Sequence, residues 1–148
     1  MDSNRNERST HIEFEKKSLQ VAKVLLAEDN PVNQILVKKF FKIWQVGKLV
    51  IASNGQEAIN EFRNGEFDIV LLDIQMPVLD GFAVAKFIRA DKDARKSQTP
   101  ILILSASSFP AIKTELELNK INDFVGKPFD PDLLYGKLIE QLNSKDAN

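Results

Sequence analysis

Apolar residues in this chain alternate between short unbroken runs and longer stretches where they recur every three or four positions. The runs are Val24-Leu25-Leu26-Ala27, Leu49-Val50-Ile51-Ala52, Phe67-Asp68-Ile69-Val70-Leu71-Leu72, Ile101-Leu102-Ile103-Leu104 and the shorter Asp123-Phe124-Val125-Gly126. Runs of this length suit strands buried on both faces, as a parallel sheet requires. The intervening stretches read as helices. Asn30 is placed as an N-cap with Pro31 in the first helical position. The helix that follows carries Val32, Ile35, Leu36, Phe40 and Ile43 on one stripe, with Gln34, Lys38 and Lys42 opposite, and Gly47 is expected to close it. The same helix has a second apolar row, Val37, Phe41 and Trp44.

Further along, Asn54-Gly55 opens a short helix through Ala58, Ile59 and Phe62, and Asp80-Gly81 opens another through Val84, Phe87 and Ile88. Ser107 or Ser108 caps a fourth, with Pro110 in its first turn and Ile112 and Leu116 facing inward. Asp130 and Pro131 open a fifth, bearing Leu134, Leu138 and Leu142. Five strands alternating with five helices predict an α/β domain with a parallel sheet covered on both faces.

Residues 1–22 differ in composition, being rich in Asn, Arg, Glu and Ser, and are read as a polar arm or linker. Ile12, Phe14, Leu19 and Val21 would support a short docking helix there, and His11 reads as a solvated residue. The domain is expected over residues 23–143, with a tail at 144–148. The chain has 148 residues, a formal net charge of −1 and no cysteine. Disulfides, thiolate metal sites and cysteine nucleophiles are thereby excluded. The near-neutral balance lacks the basic stripe of a nucleic-acid reader, so no direct nucleic-acid contact is expected. No apolar run approaches the roughly 20 residues that span a bilayer, and no apolar leader opens the chain, so neither membrane insertion nor secretion is expected and the location reads as cytoplasmic.

In an open parallel sheet, ligands sit beyond the carboxyl ends of the strands. Those ends carry Glu28 and Asp29 after the first strand, Asp73 after the third, Ser105 after the fourth and Lys127 after the fifth. Clustered carboxylates repel unless a cation neutralises them. Hard oxygen donors without histidine or cysteine select Mg²⁺ or a similar ion. An aspartate carboxylate is a known type of phosphoryl acceptor. Cations and donors around the transferring group then supply most of the catalysis, with Lys127 and the Ser105 hydroxyl each able to hold one oxygen. Any one of these residues alone reads as turn chemistry or surface charge; four strand ends together do not.

The segments Ala27-Glu28-Asp29-Asn30, Leu71-Leu72-Asp73-Ile74-Gln75-Met76-Pro77, Asp80-Gly81, Leu104-Ser105-Ala106 and Gly126-Lys127-Pro128-Phe129 resemble, in order and spacing, the receiver domains of two-component signalling, above all those of hybrid sensor kinases. The resemblance covers Lys23 to about Asn143. It implies a flavodoxin-like doubly wound five-stranded sheet of order 2-1-3-4-5. It further implies that Asp73 accepts phosphate and that Glu28, Asp29, Asp73 and the Gln75 backbone carbonyl bind Mg²⁺. Ser105 and Lys127 would contact the phosphoryl group, Ser105 and Phe124 would act as the switch, and the Lys127-Pro128 bond would be cis. The phosphoryl donor would be a histidine kinase or histidine phosphotransfer protein, with a separate output protein downstream. Such a domain is a signalling switch, with intrinsic self-phosphorylation and slow autodephosphorylation, and not an enzyme in the usual sense.

Within that frame Phe124 is also open to a plain core role, and the row Val37, Phe41 and Trp44 to either core packing or a docking patch for a donor's helical bundle. Asn119-Lys120 departs from the usual small residue and Gly, and Asn119 is the residue better able to carry a positive φ. A haloacid-dehalogenase-type phosphohydrolase would need a second Asp where Gln75 stands. A pseudo-receiver would be expected to lack one of the acidic, acceptor or lysine residues that are all present here.

Overall fold

The computed structural model describes residues 19–147. The readings of His11, Ile12 and Phe14 lie outside them. Five parallel strands form one sheet in the order β2-β1-β3-β4-β5: β1 Lys23–Ala27, β2 Lys48–Ala52, β3 Ile69–Asp73, β4 Ile101–Ser105 and β5 Asp123–Gly126. Five helices follow the strands: α1 Pro31–Ile43, α2 Gly55–Asn64, α3 Gly81–Arg89, α4 Phe109–Leu118 and α5 Pro131–Ala147. An additional single helical turn, Ala94–Ser97, was not expected; Asp93 caps it through the Arg95 N–H. No helix among the described residues is long and apolar enough to cross a membrane.

Every residue of β3 and β4 is buried, and the two faces of the sheet lead into two separate cores. Leu25, Val70, Leu72, Ile101 and Ile103 face the layer under α2, α3 and α4. Val24, Leu26, Ile69, Leu71, Leu102 and Leu104 face the layer under α1 and α5. Each fully buried Leu or Ile side chain stabilises the fold by about 1.5–3 kcal/mol, which is why unbroken apolar strands were so legible.

Of the two apolar rows of α1, Val37, Phe41 and Trp44 take the core-packing role open to them, and the other row is largely exposed. Val37 and Phe41 are the buried pair, while Val32, Ile35 and Ile43 are 71%, 65% and 62% exposed. Side-chain bulk explains the outcome. Phe41 and Trp44 pack together, Phe40 meets Phe129 edge-on at 6.1 Å, and Trp44 meets Tyr135 of α5 at 5.3 Å. The aromatic rings of Phe41 and Trp44 fill the α1–α5 groove, with Phe40 joining them from the other row.

Two backbone expectations are also corrected. Gly47 does not take a left-handed conformation at the end of α1; Gln45 does, with φ 58. Gly47 is needed instead for space, because a Cβ there would lie 2.4 Å from the Gln20 carbonyl. The segment before β1 is laid against this turn by the Gly47 N–H to Leu19 carbonyl bond (3.1 Å), and Leu19 is buried in the α1–α5 core. At the end of α4, Asn119 has φ −98 and Lys120 has φ 52, so the positive φ falls on the lysine.

Candidate functional site

Strand register brings the polar strand ends together. Ala27 pairs with Leu72, so Glu28 and Asp73 follow at the same level on neighbouring strands. Ser105 pairs with Gly126, and the Lys127 N–H bonds to the Ser105 carbonyl at 2.7 Å. The start of α3 closes in from below: a Cβ on Gly81 would lie 2.4 Å from the Asp73 carbonyl, while Asp80 caps the helix through the Ala83 N–H. The resulting cleft is lined by Glu28, Asp29, Asn30, Asn33, Asp73, Ile74, Gln75, Ser105, Ala106, Ser107 and Lys127.

The Lys127 ammonium bridges two carboxylates, 2.9 Å from Glu28 Oε2 and 3.0 Å from Asp73 Oδ2. Glu28 is 1% exposed. Its second oxygen accepts from the Asn30 N–H at 3.2 Å and from Asn33 Nδ2 at 3.1 Å. Asp29 is exposed, yet one carboxylate oxygen from each of Glu28, Asp29 and Asp73 lies within 4.8 Å of the others. Among the described residues, three carboxylates thus face a single ammonium. This hard-oxygen set has the composition that holds a small divalent cation.

Burial raises the carboxyl of Asp73 above its ordinary range, and the neighbouring Glu28 charge adds to the effect. Its hydrogen bond and attraction to Lys127, with the Gln75 backbone N–H, pull the other way without cancelling it. Burial alone would lower Lys127, but its bonds to Glu28 and Asp73 outweigh burial and raise it, so the ammonium stays charged. The site is therefore an electrostatically loaded cleft whose Asp73 carboxylate is under-compensated.

Of the residues singled out from the sequence, Glu28, Asp29, Asp73, Gln75, Ser105 and Lys127 converge on this cleft. The Ser105 hydroxyl accepts from the Ser107 N–H at 2.9 Å. Phe124 stands apart: it stacks on Phe109 at 5.4 Å, with the Lys137 ammonium 5.1 Å over its ring. The Lys127-Pro128 bond is cis. Asn33 was not singled out. Its only signal is a polar residue in the first turn of the helix after an acidic pair, one turn from the cap and able to reach back to Glu28.

Residues 24–139 match the family described as the response regulator receiver domain. The chain belongs to that family. It is 40% identical over 110 residues to hybrid signal transduction histidine kinase A of Dictyostelium discoideum, covering 72% of this chain and 5% of that protein. With hybrid signal transduction histidine kinase I of the same organism it shares 31% over 137 residues, which is 88% of this chain and 8% of that protein. The chain thus spans a small part of these curated relatives. Among solved structures, the receiver domain of a Pseudomonas aeruginosa sensor histidine kinase, with a magnesium ion coordinated in its active site cleft, has TM-score 0.73 and 28% identity. That likeness covers 82% of this chain and 98% of that one. The receiver domain of Saccharomyces cerevisiae Ssk1, solved in complex with the histidine phosphotransfer protein Ypd1, has TM-score 0.76 and 31% identity, covering 84% and 90%. This receiver domain is accordingly a signalling component of two-component regulatory systems, and its acidic cluster is of a kind that can bind metal.

Proposed function

We propose that this receiver is the cytoplasmic phosphoacceptor of a phosphorelay, taking its phosphoryl group on Asp73. The observation that carries the reading is the Lys127 ammonium held between Asp73 and Glu28 in a cleft that also presents Asp29 and Ser105. An Asp73 carboxylate oxygen forms a bond to phosphorus as the donor's phosphorus–nitrogen bond breaks, its electron pair staying on the imidazole. Lys127 and Ser105 hold equatorial oxygens of the transferring group, where most of the charge is spread. Asp29 and Asp73, with Glu28 and the Gln75 carbonyl, would hold Mg²⁺, which would neutralise charge developing on the phosphoryl oxygens. Hydrolysis later joins a water oxygen to phosphorus and returns Asp73 as a carboxylate, with inorganic phosphate released. Gln75 and Ser107, at the rim, would tune that step.

The donor is a histidine kinase or a helical histidine phosphotransfer protein. It docks on the exposed row Val32, Ile35, Leu36 and Ile43 of α1, which begins beside the cleft; the buried row Val37 and Phe41 cannot serve. The likeness to the Ssk1 receiver, solved with Ypd1, supports this choice of partner. For the switch, the Ser105 hydroxyl turns the proton it offers the Ser107 carbonyl toward a phosphoryl oxygen. That movement pulls on the loop into α4, whose Phe109 ring stacks on Phe124. The altered α4–β5 surface is then read by an output protein.

Intact mass after incubation with acetyl phosphate tests the reading. One added phosphoryl group that requires both Mg²⁺ and Asp73 is expected. A folded chain that gains none and releases no phosphate would instead be a constitutive binding module.

A further inference from the structure

Two side chains at the start of α1 reach back to Glu28. Asn33 Nδ2 donates to Glu28 Oε1 at 3.1 Å, and Gln34 Nε2 donates to the Glu28 carbonyl at 2.6 Å. The Asn30 N–H meets the same Oε1 at 3.2 Å, while Oε2 lies 2.9 Å from the Lys127 ammonium. This departs from the usual way a helix begins. In a capping box, a Glu or Gln side chain at the third helical position returns to the N–H of the cap residue. Here Glu28 takes that N–H from outside the helix, and Asn33, at the third position, bonds to Glu28 instead. Helix formation does not call for asparagine there, since leucine and glutamate are better helix formers.

The demand comes from Glu28. It is 1% exposed, so water cannot solvate its oxygens, and leaving either unpaired is costly. An ionised carboxylate only accepts, so the Asn33 amide must present its NH₂ group to Glu28. Its Oδ1 accepts no hydrogen bond among the described residues, and Asn33 lines the cleft together with Asp29 and Asp73. We infer that Asn33 is a positioning residue for Mg²⁺: acting through Glu28, it holds the acidic cluster in the arrangement that takes the cation. Without the Asn33 bond, the buried carboxylate is free to turn both oxygens toward Lys127, its one charged partner. That turn draws the ammonium from Asp73 Oδ2, 3.0 Å away, and takes Glu28 out of the set it forms with Asp29 and Asp73. Hydrogen-bond partners that orient a metal-binding carboxylate are worth about 10–100-fold in metal affinity. The inference rests on the Mg²⁺ assignment made above.

Titration calorimetry of the full chain with Mg²⁺, in the absence of any phosphodonor, tests it. Asn33→Leu keeps the bulk, improves helix propensity and removes the donor. It should raise the dissociation constant for Mg²⁺ by about 10–100-fold. Asn33→Gln keeps an amide able to reach Glu28 and should recover most of that affinity. Urea melts without Mg²⁺ establish that both variants fold. Labelling by acetyl phosphate should be slowed in Asn33→Leu at low Mg²⁺ and return to the unmodified rate once Mg²⁺ saturates, because Asn33 acts on the metal and not on the phosphoryl group. An unchanged dissociation constant in Asn33→Leu would overturn the inference and leave the residue a helix-start device. So would equal weakening in both variants, or a labelling defect that saturating Mg²⁺ does not correct. An unmodified chain that binds no Mg²⁺ would remove the metal assignment and the inference with it. One that binds Mg²⁺ but is never labelled would remove the phosphoacceptor reading alone.

Discussion

The two ends of the sheet are each organised around one partly buried cation, and they are organised in opposite ways. At the carboxyl end, Lys127 is shared between Glu28 and Asp73, while Asp29 stands nearby with no cation of its own in the cleft among the described residues. At the amino end, Arg89 reaches from α3 to neutral oxygens only. It donates to the carbonyls of Ser97 (2.8 Å), Thr99 (2.7 Å) and Lys120 (2.9 Å) and to Asn122 Oδ1 (3.0 Å). Burial lowers the pKa of that guanidinium. Arg89 closes its network: every donor it uses has a partner, and the loop at Lys120, with its φ of 52, is held in place by it. Lys127 leaves its network open, with more negative charge than it can neutralise. A closed network holds a fold together, whereas an open one is held ready for a ligand.

Breaking each network in turn should separate the two roles. The largest effect is expected for Lys127→Met, which should slow labelling of Asp73 by small phosphodonors by about 10²–10³-fold, the loss typical of one oxyanion donor. It should also lower stability, because Glu28 remains buried. The rate is measured by quenched-flow mass spectrometry and the stability by urea melts.

Next comes the metal. Mg²⁺ at about 100 times its dissociation constant should stabilise the fold by about 2.7 kcal/mol. Asp73→Asn should weaken that response. Without metal, the same variant should be more stable than the unmodified chain near neutral pH, since it removes a buried carboxylate that is poorly compensated. Thermal melts with and without Mg²⁺ decide both points.

Arg89→Ala should destabilise by about 2–3 kcal/mol, because the part-buried carbonyls of Ser97 and Thr99 lose a charged donor, while labelling per folded molecule stays as before. A labelling defect as large as that of Lys127→Met would erase the distinction between the two ends. The smallest effect is expected for Lys120→Gly, a gain of about 1 kcal/mol from relief of the positive φ, read as a shift in the urea midpoint.

The two ends also differ in how far they can be read from sequence. The carboxyl-end site was legible because a parallel sheet puts the strand ends on one edge, and four of the five strands carried an unbroken apolar run. Glu28, Asp73, Ser105 and Lys127 needed no tertiary information beyond that rule. The amino-end network had no such rule. Arg89 is one of several cations in its helix and turn, and its partners are backbone oxygens, which carry no residue signature. Local preference ranks Asn119 above Lys120 for a positive φ, whereas the Arg89 bonds to the Lys120 carbonyl hold it one residue later. In α1, periodicity found both apolar rows but could not rank them. That choice depends on the rings of Phe129 and Tyr135, almost a hundred residues away.

The central claim is that the open network at the carboxyl end exists to carry phosphate on Asp73. Borohydride reduction after incubation with acetyl phosphate and Mg²⁺ tests it most directly, because it converts an aspartyl phosphate to homoserine, which peptide mass mapping then locates. The account predicts homoserine at position 73, and none when Mg²⁺ is withheld. Homoserine at Asp29 or elsewhere, or a Mg²⁺-independent yield at Asp73, would contradict it.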